Sequence, residues 1–149
     1  MKMKAIKKSI AINATPERIW DVITKDQYTH QWYAEFSEGT QAHTDWKLGS
    51  KAIFTDRSKN GMIAKVKENT PGELLSLEYT GLYSEGKEDY DSPEAKRFKG
   101  GHETYRLEKD HEAMLLKISS DVDEKQHDSM AEFWDKALEK IRELAEGTA

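Results

Sequence analysis

Residues 10–20 read Ile10-Ala11-Ile12-Asn13-Ala14-Thr15-Pro16-Glu17-Arg18-Ile19-Trp20, a strand, an abrupt stop and a helix start in one short run. Ile6, Ser9, Ile10 and Ile12 favour β structure ahead of the break. Thr15 then offers its hydroxyl as an N-cap. Pro16 takes the first helical position, where a missing N–H costs nothing, and Glu17 faces the positive end of the helix dipole. The junction predicts a helix over Pro16 to Thr24, and a second short helix is expected over Asp26 to Trp32.

Outward from that junction, Asn60-Gly61 lies between Ala52-Ile53-Phe54-Thr55 and Met62-Ile63-Ala64-Lys65-Val66, a strong hairpin signal that makes the two runs antiparallel neighbours. Pro71-Gly72 turns the chain into Leu75, Leu77 and Tyr79, which alternate with Ser76 and Glu78 as a half-buried strand should. Residues Tyr83 to Gly101 are polar and carry Gly86, Ser92, Pro93 and Gly100-Gly101, so they read as a long loop or flap and as the candidate lid. Strands resume over His102 to Glu108, turn at Lys109-Asp110-His111-Glu112 and return as Met114 to Ser120.

Apolar residues then recur at helical spacing: Met130, Phe133, Trp134, Ala137, Leu138, Ile141, Leu144 and Ala145. Asp121, Asp123 and Glu124 are expected to put negative charge at the N-terminal end of this closing helix. A long helix with so broad an apolar face must lie on something, and the concave face of the antiparallel sheet is the partner large enough.

The chain has 149 residues, which fits one domain over 1–149, and a globule of that size buries roughly 68–70% of its unfolded surface. It has no cysteine, which removes disulfides, thiolate nucleophiles and Cys-based zinc sites and suits a reducing compartment. The basic start leads into no apolar signal-like region and no run approaches membrane-spanning length, so a cytoplasmic protein with no membrane partner is expected. Lys plus Arg total 23 against 28 Asp plus Glu, a formal charge of −5 with both signs interspersed. No nucleic-acid footprint emerges from that pattern. Lys2, Lys4, Lys7 and Lys8 read as the charged solvent face of an edge strand.

The order and spacing of these pieces resemble the activator of heat shock protein 90 ATPase homologue-like family, within the START-like, Bet v 1-like superfamily. The resemblance rests on residues 10–20, Trp32, Asp45-Trp46-Lys47-Leu48-Gly49-Ser50, Pro71-Gly72-Glu73-Leu74-Leu75, Glu103-Thr104-Tyr105-Arg106-Leu107 and Trp134. It implies an α+β helix-grip fold: a curved antiparallel sheet around a long C-terminal helix, two short N-terminal helices, and an internal cavity between sheet and helix. The candidate cavity residues are then Trp32, Phe54, Met62, Tyr79, Glu103, Tyr105, Met130, Phe133 and Trp134.

Glu103 shares strand parity with Tyr105 and Leu107. A carboxylate there must be paired, protonated or at an open mouth, because burying it alone is costly. Catalytic motifs are otherwise absent: the histidines His30, His43, His102, His111 and His127 show no metal spacing. Asp121-Val122-Asp123-Glu124 lacks the central glycine and closing glutamate of a calcium loop. No metal and no cofactor are expected.

Three functions of different class follow. The first is a binding protein for a small hydrophobic or amphipathic molecule. The second, implied by the family resemblance, is a co-chaperone-like regulator with a chaperone as partner, although one helix-grip domain would account for the whole chain and leave no separate N-terminal domain. The third, by superfamily analogy, is a cyclase or hydratase in which Glu103 is the candidate acid or base. A monomer or a homodimer fits the composition equally.

Overall fold

The computed structural model describes residues 2–147. The first strand, β1 (Met3–Ile12), gives way to α1 (Pro16–Thr24) at the junction read from the sequence. Thr15 is extended there, with φ −71° and ψ 153°, and its side-chain oxygen accepts from the Arg18 N–H at 3.1 Å. Helix α2 (Asp26–Tyr33) follows directly. The two are locked by the Trp32 indole, whose Nε1 donates to the buried Val22 carbonyl oxygen at 2.8 Å.

The remaining elements are β2 (Gln41–His43), β3 (Lys51–Thr55), β4 (Asn60–Thr70), β5 (Leu74–Ser84), β6 (Lys87–Asp89), α3 (Pro93–Phe98), β7 (His102–Asp110), β8 (Ala113–Asp123) and α4 (His127–Glu146). A single 3-10 turn, Glu124–Gln126, joins the last two. The 8-stranded sheet runs β1-β8-β7-β5-β4-β3-β2, with β6 beside β5, and every pairing is antiparallel. Register shifts between Ile63 and Ala64 and between Val66 and Glu68 leave Thr80 and Lys67 as extra residues in their strands. Such bulges bend a strand and increase its twist, which curves the sheet.

Helix α4 lies in that curve. Its Trp134, Ala137, Leu138, Ile141, Leu144 and Ala145 are buried, and they meet Ile6, Ile12, Val66, Leu75, Leu77, Leu107, Leu116 and Ile118 from the inner face in one core. Each such aliphatic side chain, fully buried, contributes roughly 1.5–3 kcal/mol. This is the helix-grip arrangement that the resemblance implied.

Four expectations need correction. Asn60-Gly61 does not turn the chain. Reversal occurs one step earlier, where the Asp56 carboxylate accepts from the Ser58 N–H at 2.8 Å and Lys59 takes a left-handed φ of 65°. Gly61 instead sits within β4 opposite Thr55, where an added Cβ would lie 1.5 Å from the Phe54 carbonyl oxygen. The segment from Tyr83 to Gly101 is ordered rather than looped: β6 extends a hairpin from β5, and Ser92 caps α3 by accepting from the Ala95 N–H at 3.0 Å.

Asp121 and Asp123 belong to β8 and not to the closing helix. Asp123 caps only the 3-10 turn, through the Lys125 N–H at 3.0 Å. Lys8, finally, is not on the solvent face. It shares parity with Ile6, Ile10 and Ile12 and reaches Asp135 of α4 at 3.0 Å.

Candidate functional site

Between the curved sheet and the N-terminal half of α4 lies a pocket of about 280 Å³. Of the residues singled out in the sequence, Trp32 of α2, Phe54 of β3, Met62 of β4, Tyr79 of β5, Glu103 and Tyr105 of β7, and Met130 and Trp134 of α4 all border it. Strand parity explains the sheet contributors, since alternate side chains of β5 and β7 point to one face. Phe133 does not border it. Met130, Trp134, Ala137 and Ile141 share one helix stripe, and Phe133, one residue off that stripe, is turned to the flank, where its ring packs edge-on against Phe36 at 6.3 Å.

Other bordering residues were not read from the sequence. Tyr33 and Phe36 follow Trp32 at the end of α2. Phe98 comes from α3, inside the segment taken for a loop. Ser120 and Val122 simply continue the inward parity of Leu116 and Ile118, so following β8 to its end would have found them. Thr40, Gln126, Asp121 and Asp123 complete the border.

Glu103 is the hub of the pocket's polar side. Tyr105 donates its hydroxyl to Oε2 at 2.7 Å and Tyr79 donates to Oε1 at 3.2 Å. Burial pushes the Glu103 carboxyl above its usual pKa of 4.5, while hydrogen bonds from Tyr105, Tyr79 and Ser120 oppose that shift. Burial first, and then the adjacent Glu103 charge, raise the phenols of Tyr33, Tyr79 and Tyr105 well above 10.0. All three therefore stay neutral hydrogen-bond donors across the physiological range.

The rest of the wall is aromatic. Trp134 sits 4.8 Å from Phe36, 6.0 Å from Tyr105 and 6.3 Å from Trp32, centroid to centroid, and Tyr33 lies 6.3 Å from Phe54. All but the tilted Trp134–Trp32 pair are edge-to-face, and such pairs add about 0.5–1.5 kcal/mol beyond area burial. The Trp134 indole N–H is fully covered and finds no acceptor among the described residues. Asp121 and Asp123 are committed elsewhere: the Asp121 carboxylate accepts from the His102 N–H at 2.8 Å and that of Asp123 from Lys125. Among the described residues no group of three His, Asp or Glu side chains is placed to hold a metal ion.

A curved antiparallel sheet gripping its last helix over a pocket is the architecture of the START-like, Bet v 1-like proteins. Within that class the chain belongs to the activator of Hsp90 ATPase homolog 1-like family, whose model matches residues 13–146. Among solved structures, the Aha1 dimer from Colwellia psychrerythraea superimposes with a TM-score of 0.73 at 17% identity, covering 97% of this chain and 98% of that one. Protein MLL2253 from Mesorhizobium loti gives 0.71 at 16% identity, covering 98% and 99%. CalU16 from Micromonospora echinospora gives 0.67 at 16% identity, covering 99% of this chain and 77% of its own. At these identities the likeness shows the fold. No curated protein matches the chain. Among the described residues no helix is long and apolar enough to cross a membrane.

Proposed function

We propose that the protein binds a small hydrophobic or amphipathic molecule in the pocket between sheet and α4, in a cytoplasmic setting. The observation that carries this reading is the pocket's composition: an aromatic and aliphatic wall whose polar side centres on Glu103, the carboxylate bound by Tyr79 and Tyr105. Binding sites for small molecules are concave, mostly apolar and equipped with a few placed polar groups. An apolar cavity of about 150 Å³ takes a benzene ring, so a space of about 280 Å³ suits a molecule of one or two rings.

Native mass spectrometry of gently purified protein, followed by organic extraction, tests the reading. A reproducible adduct that raises the melting temperature when added back supports it through mass action. The absence of any adduct, together with no thermal shift from a panel of one- and two-ring compounds, argues against it.

The elevated Glu103 pKa favours a second reading, acid–base catalysis within the same pocket, because a desolvated carboxyl near the substrate is poised to exchange a proton. Conversion of a bound compound that ceases in Glu103→Gln while binding persists would support it. Family membership supports a regulatory role on a chaperone ATPase, which direct measurement of a cognate chaperone's hydrolysis rate with and without the protein decides.

A further inference from the structure

We propose that the pocket selects a cationic ligand, a one- or two-ring molecule carrying a primary or substituted ammonium group, which would lie against Glu103 and the surrounding aromatic faces. This deepens the pocket-binding reading and rests on it.

The charge inventory carries the argument. Glu103, Asp121 and Asp123 border the pocket, and among the described residues no lysine, arginine or histidine does. The hydrogen-bonding inventory points the same way. Tyr79 and Tyr105 spend their only protons on Glu103, so neither has a proton left to donate to a ligand. A carboxylate has about four lone-pair positions, and Tyr79, Tyr105 and Ser120 engage three of them, which leaves Glu103 able to accept one further donor. The Trp134 N–H is fully covered and offers nothing to a ligand's anionic group. A fatty acid or other carboxylate would thus meet negative charge and, in place of a cation, only the neutral donors of Tyr33, Thr40, Ser120 and Gln126. An ammonium would meet its complement.

The apolar wall suits the same ligand. Trp32, Tyr33, Tyr105 and Trp134 border one space with their rings inclined to one another, at 71° between Trp32 and Tyr33 and 61° between Tyr105 and Trp134. Rings gathered around a desolvated space attract a cation through their negative faces. Any of these rings that turns its face to the ligand adds a cation–π attraction to that of the carboxylate.

Three naphthalene probes of matched shape and different charge test this on the intact protein by isothermal titration calorimetry at pH 7: 2-naphthylmethylamine, 2-naphthylmethanol and 2-naphthoate. The expected order is amine tightest, by about tenfold or more over the alcohol, with the acid weakest. In Glu103→Gln the amine's advantage over the alcohol should collapse. Equal binding of amine and alcohol, preference for the acid, or an amine preference that survives Glu103→Gln overturns the cation inference. In each of those results the alcohol still reports a working pocket. Failure of all three probes to bind overturns the pocket reading and this inference together.

Discussion

The Arg18 guanidinium donates through Nη2 to the main-chain carbonyl oxygen of Leu144 at 2.8 Å. Its Nε reaches the Ala145 carbonyl oxygen at 3.4 Å, and its Nη1 donates to the Tyr28 hydroxyl at 2.5 Å. The same group lies 4.8 Å from the centre of the Tyr28 ring. One cation thus satisfies carbonyls in the last turn of α4, complements the negative end of that helix and binds α1 to α2.

Arg18→Ala should lower stability by about 1.5–3 kcal/mol, the range for hydrogen bonds to a charged group. Lysine keeps the charge but not the fork, so Arg18→Lys should fall between wild type and alanine. Urea denaturation of the three proteins gives the ranking, and an alanine variant as stable as wild type would contradict it.

Gly61 is required by space rather than by backbone angle. A methyl group there would collide with the Phe54 carbonyl, which belongs to the partner strand and cannot swing aside as a side-chain tip could. Gly61→Ala should therefore cost about 1–3 kcal/mol, as overpacking does, by prising β3 from β4. Faster amide exchange confined first to β3 and β4 is the expected signature. Uniform exchange across the sheet would count against this cause.

Glu103 gives stability a particular pH dependence. Its folded pKa lies above the ordinary 4.5, so the folded chain holds this proton longer than the unfolded one does. The contribution is fully present below pH 4.5 and is lost as pH rises from there through the folded pKa. The groups around it, Tyr33, Tyr79 and Tyr105, titrate above 10.0 and leave that window alone. Relative to Glu103→Gln, wild type should lose stability steadily as pH climbs. Tyr105→Phe, which removes a hydrogen bond that favours the charged form, should move the loss to higher pH. Melting temperatures of the three proteins from pH 4 to 8 test both statements, and a wild-type-minus-Gln difference that rises with pH would refute the sign.

Trp46 is a bulky residue with φ 61°, held there by contacts at both ends. Its Nε1 donates to the Thr24 carbonyl oxygen at 2.8 Å, and its own carbonyl accepts from Asn69 Nδ2 at 2.7 Å. Trp46→Phe should cost about 1 kcal/mol for the lost hydrogen bond. Asn69→Ala also loses one hydrogen bond, but relaxation of the strained Trp46 backbone and removal of the buried, unpartnered Asn69 Oδ1 offset part of that loss, so it should cost less, and chemical denaturation should rank the two in that order.

Local chemistry is what the sequence exposes most directly. Thr15-Pro16-Glu17 and the apolar stripe of α4 were legible because the information sits within a few residues. Ser92-Pro93-Glu94 carries the same N-cap, proline and acidic first turn as Thr15-Pro16-Glu17, yet its polar surroundings read as a loop. Glycines and charges around it masked a helix only six residues long. The pocket was partly legible by parity, which placed Tyr79, Glu103 and Tyr105 on one face. What parity cannot supply is distance across the fold. The meeting of Lys8 with Asp135, the collision that forbids a side chain at Gly61 and the turn of Phe133 away from the pocket depend on partners far along the chain.

Strand β1 has β8 as its neighbour in the sheet, with Met3 opposite Asp123 and Ile12 opposite Met114. A chain leaving the ribosome must therefore hold β1 unpaired until β8 has emerged. Contacts so distant in sequence carry a large loop-closure cost before they return any stabilisation, which slows folding. The lysines spaced along β1 put like charges on an edge strand, which disfavours its pairing with strands of other chains. The docking of β1 against β8 beneath α4 is then a late event that makes the two ends of the described chain mutually dependent.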